Sequence, residues 1–210
     1  MDRGIDMKLF HNSRSPSSRR VEATIHHLKA EVELIPVDIQ AGEHRTPDFL
    51  RRNPNGMIPV LEDGGRHLWE SGAIMQYLAK DQATFYPKAT IQRALVDRWV
   101  QWNLAHFGRH VGTIVFERLF KPQLGLGAPD EELTARESDS LDRFALVLNE
   151  ALSDVPFLTG THPGLADFHI VGSLAYASMA SVDFSKYTHL SVWLDRVEDL
   201  DAFRSLPALG

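Results

Sequence analysis

Residues 53–61 read Asn53-Pro54-Asn55-Gly56-Met57-Ile58-Pro59-Val60-Leu61, and this stretch constrains the fold most. Asn-Pro-Asn-Gly is strong turn chemistry, because Asn bonds its own backbone and Gly tolerates positive φ. Pro59 follows near the start of a strand pattern, where a trans proline would disturb pairing. Two readings fit. Pro59 is an edge-strand proline with no further meaning, or the Ile58–Pro59 bond is cis. The cis form turns the Ile58 backbone outward, so that its N–H and C=O can pair with an extended peptide ligand.

Around that stretch short strands alternate with helices. Lys8 to His11 predicts a first strand, and Val21, Ile25 and Leu28 recur at helical spacing over Pro16 to Lys29. Val32 to Ile39 predicts a second strand, followed by a short irregular helix. Met57 to Leu61 is the third, and Asp63-Gly64-Gly65 turns into a fourth at His67 to Trp69. Ser71 then opens a helix. Residues 81–90 are polar with one proline and read as a linker between a first domain, 1–80, and a helical domain, 91–210. The second domain predicts a long helix from Ile91 to Phe120 closed by Pro122, then helices over Asp130 to Leu152, Leu165 to Ala180, His189 to Val197 and Asp201 to Leu206. A mixed α/β half beside an all-helical half points to a ligand site where two domains meet.

Composition narrows the function. The 210 residues are 43% hydrophobic and 24% charged, as in a water-soluble globular protein. No apolar run approaches the ~18 residues that span a bilayer. Met1 to Asp6 is short and polar, unlike a secretory signal, and a cytoplasmic location is expected. The net charge of −6, with Arg19-Arg20 and Arg51-Arg52 as isolated pairs, gives no basic stripe for nucleic acid. The absence of cysteine excludes disulfides, thiolate zinc sites and a cysteine nucleophile. His106 and His110 have the i, i+4 spacing of a metal pair, but two ligands do not make a site, and no metal is expected.

Trp69-Glu70-Ser71-Gly72-Ala73-Ile74 is the second informative stretch. Ser71 suits a helix N-cap, which would be its whole role. A helix N-terminus also suits a carboxylate, and Glu70 beside it suits an ammonium. A free α-amino acid carries both charges on one carbon.

The joint pattern, Asn-Pro-x-Gly-x-Ile-Pro-Val-Leu, then Asp-Gly, then Glu-Ser-x-Ala-Ile, resembles the glutathione-binding domain of cytosolic glutathione transferases. The resemblance extends over nearly the whole chain. It implies a thioredoxin-like α/β N-terminal domain, an all-α C-terminal domain and a homodimer. Glutathione would be the co-substrate, with no other cofactor. Glu70 and Ser71 would hold its γ-glutamyl end, and Ile58 beside cis Pro59 would pair with its cysteinyl backbone. Ser15-Pro16-Ser17-Ser18-Arg19-Arg20-Val21 resembles the first turn of the serine-using phi and theta classes and of bacterial enzymes of that type. By that match Ser15 is the catalytic residue that steadies the thiolate, with Ser13 and Ser17 as rivals and simple N-capping as the alternative. His44, and less closely Arg45, match residues of the phi-class loop that meets the glycine carboxylate. Gly164-Leu165-Ala166-Asp167 resembles the segment that caps the buried central helix, with Gly164 where the family has Ser or Thr.

In the helical half, His106, His110 and Phe120 are candidates for the pocket of a small hydrophobic electrophile. Trp102 and Phe107 suit either that pocket or the core. The expected reaction is attack of the glutathione thiolate on such an electrophile, in detoxification. Two alternatives stand beside it. One is a zeta-type isomerase, whose cysteine-bearing motif is lacking here. The other is a non-catalytic binding or scaffold protein of the same fold.

Overall fold

The computed structural model describes residues 7–209; the extension expected at Met1 to Asp6 lies outside them. By contacts the chain divides into two units. One takes in the residues up to Tyr86 together with those from Asp201 onward, and the other is Pro87–Leu200. The final segment therefore groups with the first unit, not with the helical one where its sequence position suggests it.

The first unit is built from β1 (Met7–His11), α1 (Pro16–Leu28), β2 (Glu33–Pro36), α2 (Pro47–Arg52), β3 (Val60–Asp63), β4 (Arg66–Trp69) and α3 (Ser71–Leu78). The strands lie in the order β2-β1-β3-β4, with β1 parallel to β2 and antiparallel to β3. This is the mixed sheet of a thioredoxin-like domain. Helices α1 and α3 pack on each other, and Leu9, Val21, Val60, Ile74 and Met75 are fully buried in the core. Lys29 ends α1 in the left-handed region. Strand β3 starts at Val60, so Met57, Ile58 and Pro59 lead into the strand and are not part of it. The 81–90 linker is also only partly solvent-exposed. Phe85 and Tyr86 are buried within this unit, and the Phe85 ring lies 5.1 Å from that of His27.

The second unit is helical. α4 (Thr90–Trp102) runs through a π turn (Asn103–Phe107), α5 (Gly108–Val115), a second π turn (Phe116–Phe120) and α6 (Lys121–Gln123). The single long helix expected from the apolar stripe is thus interrupted twice, and Pro122 sits inside its last turn. At the first interruption the Asn103 amide donates to the Ser173 hydroxyl at 2.8 Å and lies 3.0 Å from Nδ1 of His169, both on another helix. α7 (Glu131–Ala151) is capped by Asp130, whose carboxylate accepts the Leu133 N–H. α8 (Leu165–Ser173) is buried all round from Leu165 to Gly172, as its apolar sequence requires. It stops before the expected Ala180; single turns continue the chain to Ser181, whose φ is 56°. α9 (Thr188–Glu198) follows, and α10 (Asp201–Arg204) packs on α1 of the first unit. No helix among the described residues is long and apolar enough to cross a membrane.

Candidate active site

Strand register decides which loops meet. Phe10 pairs with Val60, and Val60 pairs with Trp69, so the penultimate residue of β1 and the last residue of β4 lie in one row with the first residue of β3. His11 lies beside Pro36 at the end of β2. The turn after β1 (residues 12–15), the loop after β2, the Ile58–Pro59 segment before β3 and the Glu70–Ser71 junction after β4 therefore all leave one end of the sheet. Ligands of α/β sheets gather at such strand ends.

Ser15 is the N-cap of α1. Its Oγ accepts the Ser18 N–H at 3.3 Å, and its own N–H donates to the Asn12 carbonyl at 2.8 Å. Capping uses only an acceptor lone pair of the hydroxyl, so its proton stays available to an outside acceptor. Capping and thiolate stabilisation are compatible roles for this residue. Of the rivals, Ser13 donates its hydroxyl to Glu22 Oε2 at 2.8 Å, and Ser17 lies one residue inside the helix.

The Asn-Pro-Asn-Gly turn is an Asx-type turn in which the buried Asn53 accepts the Asn55 N–H at 3.0 Å and donates to the Met57 carbonyl at 2.6 Å. Gly56 has a φ of +61°, and a Cβ there would lie 3.2 Å from the His44 carbonyl oxygen, so the turn packs directly on the His44 backbone. The Ile58–Pro59 bond is cis. The Ile58 side chain packs against Val37, Phe49 and Val60, while Met57 is exposed.

His44 and Arg45 lie on a short 3-10 turn, Glu43–Arg45. Arg45 is exposed, and the buried Nδ1 of His44 takes no partner among the described residues. Glu70, and not Ser71, is the N-cap of α3, and it makes no side-chain cap bond. Its φ of 71° and ψ of 112° are costly for a residue with a Cβ. Ser71 is the first helical residue, buried beside the free N–H groups of the first turn. A cavity of about 440 Å³ opens next to the turn after β1, bounded by Asn12, Ser13, Arg14, Ile39, Gln40 and Pro207.

The candidates of the helical unit have different ring partners. The ring centroids of His106 and His110 lie 5.0 Å and 5.4 Å from that of Phe144, nearly parallel to it, and His110 also bonds Glu137 through Nδ1. The ring of Phe120 meets Tyr176 edge-on at 5.0 Å. Phe107 is fully buried in the core, stacked on Trp102. Among the described residues no cluster of three His, Asp or Glu side chains could hold a metal ion. Periodicity puts Phe144 on the apolar face of its helix but gives no sign of its stacking on His106 and His110, or of the buried Glu22 beneath the Ser15 turn. A charged residue on an amphipathic helix reads as solvent-facing unless its partners are known.

Asp167 of the helical unit behaves as a folding residue. Its Oδ2 accepts the Gly164 N–H at 2.8 Å, and its Oδ1 accepts the Leu158 N–H at 2.9 Å and the Trp193 indole N–H at 2.8 Å. This is half of a capping box; Gly164 cannot supply the other half. Complete burial of Asp167 pushes its carboxyl up to about 6 despite these three donors.

Residues 5–80 match the model of the glutathione S-transferase N-terminal domain, and residues 108–201 that of the C-terminal domain. The chain is 31% identical to the probable glutathione S-transferase GSTF2 of Oryza sativa subsp. japonica, over 89% of each chain. Among solved structures, glutathione transferase F7 from Populus trichocarpa is 28% identical with a TM-score of 0.87, over 95% of this chain and 97% of that one. Glutathione S-transferase I from Mais, in complex with an atrazine glutathione conjugate, is 25% identical with a TM-score of 0.86, over 96% of each chain. With both domain models matched and the sheet order and capped central helix in place, the chain belongs to the glutathione S-transferase family.

Proposed function

We propose that this chain is a cytoplasmic glutathione transferase of the serine-using, phi-like type, and that Ser15 steadies the glutathione thiolate. The observation that carries this reading is the strand register, which brings the loops of Ser15, Ile58 and Ser71 to one end of the sheet. Ser71 and the first-turn N–H groups of α3 suit the γ-glutamyl carboxylate, and Glu70 suits the adjacent ammonium. The Ile58 backbone pairs with the cysteinyl residue. His44, with an unpartnered buried nitrogen, and Arg45 suit the glycine carboxylate.

In this reading the cysteinyl sulfur lies toward the N-terminus of α1. A free thiol ionises near pH 8.5 and is mostly protonated at neutrality. The Ser15 hydroxyl donating to sulfur, at the positive end of a 13-residue helix, favours the thiolate. The thiol proton passes to solvent. The sulfur lone pair then forms a bond to an electrophilic carbon, which expels its leaving group or takes up a proton after addition. The Mais enzyme, whose structure holds a glutathione conjugate, supports the same reaction class. A hydrophobic electrophile bordered by His106, His110 and Phe120, and assembly as a homodimer, belong to the same proposal.

The test is glutathione binding by calorimetry on wild type and Ser15→Ala, with the bound thiolate followed by ultraviolet absorbance across pH. The expected result is retained binding in both and a depressed thiol pKa in wild type alone. No binding at millimolar glutathione would overturn the enzyme reading. Equal thiol pKa values in the two proteins would remove Ser15 from its role.

A further inference from the structure

We infer that Glu22 is a positioning residue for Ser15, holding the turn that carries it through a buried bridge to His11 and Ser13. The inference rests on the proposed role of Ser15. Glu22 lies in the second turn of α1 and is 2% exposed. A carboxylate buried this deeply is costly unless both oxygens are satisfied. Here each oxygen has its own side-chain partner. His11 Nδ1 lies 2.6 Å from Oε1, and Ser13 Oγ donates to Oε2 at 2.8 Å. Nδ1 of His11 and the Ser13 hydroxyl thus take up one oxygen each.

The two partners bracket the turn. His11 is the last residue of β1, and its carbonyl accepts the Val37 N–H at 2.7 Å. Ser13 is the middle of the segment from His11 to Ser15. Its carbonyl also accepts from Arg19, whose guanidinium donates in turn to the Pro207 carbonyl at 2.8 Å. Asn12 is tied to the Val37 carbonyl and to Ser18. The Ser15 backbone is thus fixed from below by a helix residue seven positions further along the chain. That matters because a misplacement of about 1 Å in a reacting geometry can cost about 100-fold in rate. Glu22 touches no reacting atom; it acts through Ser13 and His11 on where the Ser15 hydroxyl points.

The experiment compares wild type, Glu22→Gln, Ser13→Ala, Ser15→Ala and the Glu22→Gln/Ser15→Ala double variant. Glutathione is the ligand and an activated aryl chloride the electrophile. The measurements are glutathione affinity, the pH midpoint of the bound thiolate, and kcat against KM. Glu22→Gln and Ser13→Ala are expected to bind glutathione within about threefold of wild type, to ionise the bound thiol at higher pH, and to lose about tenfold in kcat at neutral pH. Glu22→Gln is expected to add no further loss in the Ser15→Ala background, as for residues acting through one group. A raised midpoint in Ser15→Ala with a wild-type midpoint and kcat in Glu22→Gln overturns this inference alone. An unchanged midpoint in Ser15→Ala overturns the Ser15 role instead. If Glu22→Gln does not fold, Ser13→Ala decides, because it leaves the buried His11–Glu22 pair in place; wild-type values there overturn the inference.

Discussion

The indole N–H of Trp193 donates to Oδ1 of Asp167 at 2.8 Å, and both side chains are fully buried. The bond joins α9 to the first turn of α8. It also leaves a carboxylate in the interior of the helical unit, and that has a measurable consequence.

The Asp167 carboxyl is pushed up to about 6 by burial, above its ordinary value of 3.8. The folded chain therefore holds more protons at this site than the unfolded chain between those two values. Its contribution to stability is full at the acid end and declines as pH rises to about 6, by up to ~3 kcal/mol. Asp167→Asn does not titrate. The stability of wild type minus that of Asp167→Asn, from urea unfolding, should be largest below about pH 4, shrink toward pH 6 and stay flat above. A difference that rises with pH would show that the three donors outweigh burial.

Gly108 and Gly112 lie one turn apart in α5 and should respond oppositely to alanine. A Cβ at Gly108 would meet Asn103 Oδ1 at 2.7 Å and Ser173 Oγ at 3.1 Å, in the network beside the first π turn. A Cβ at Gly112 meets nothing within 4 Å. Gly108→Ala should cost about 1–3 kcal/mol through overpacking. Gly112→Ala should gain about 0.5–1 kcal/mol from helix propensity. Thermal unfolding of the two variants side by side checks both signs.

Glu70 keeps a left-handed backbone with a side chain on it, at a φ of 71°. Glu70→Gly should relieve about 1 kcal/mol of strain and raise Tm. It should also weaken glutathione binding by about tenfold, through loss of the ammonium partner. Calorimetry and a melting curve on the same variant separate the two effects. A variant that loses both stability and affinity would argue against strain held for binding.

On the proposed roles, substitutions at Ser71 and Ser15 should separate binding from activation. Ser71→Ala should raise the glutathione KM by about tenfold or more, as expected for one hydrogen bond to a charged group, and leave the bound-thiol pKa unchanged. Ser15→Ala should do the reverse, and the cap bond from Ser18 should cost it about 0.5–2 kcal/mol of stability. Steady-state kinetics with thiolate absorbance distinguishes the two patterns.

Much of the local structure, in the proposed site and at the cap of α8, was legible in the sequence because it depends on short-range chemistry. Asn53 bonds Asn55 and Met57, Ser15 caps Ser18, and Asp167 reaches back to Gly164, all within four residues. Turn and cap preferences act over that distance, so residue type and spacing were sufficient. Helix and strand periods likewise marked β1, α1, α7 and the buried α8. One local assignment needed the structure: Glu70, not Ser71, takes the cap position, because a glutamate at positive φ runs against local preference.

Tertiary structure decided the rest. Glu22 is buried because His11 and Ser13 reach it from the preceding strand and turn. The helix from Thr90 passes into a π turn at Asn103, whose amide meets His169 and Ser173, 66 and 70 residues further on. Phe85 and Tyr86 are buried in a segment whose composition reads as a linker, and the residues from Asp201 join the unit of α1. In each case the deciding term is burial against a distant partner. Burial outweighs local propensity once a polar group has its bonds satisfied, or an aromatic ring its contacts, and a linear pattern does not contain the partner's identity. By itself, then, the sequence determined the family, the order of elements and the local turns and caps around the proposed site. The folded chain decided how the Ser15 turn is held, where the long helix takes its π turns, and which charges lie inside.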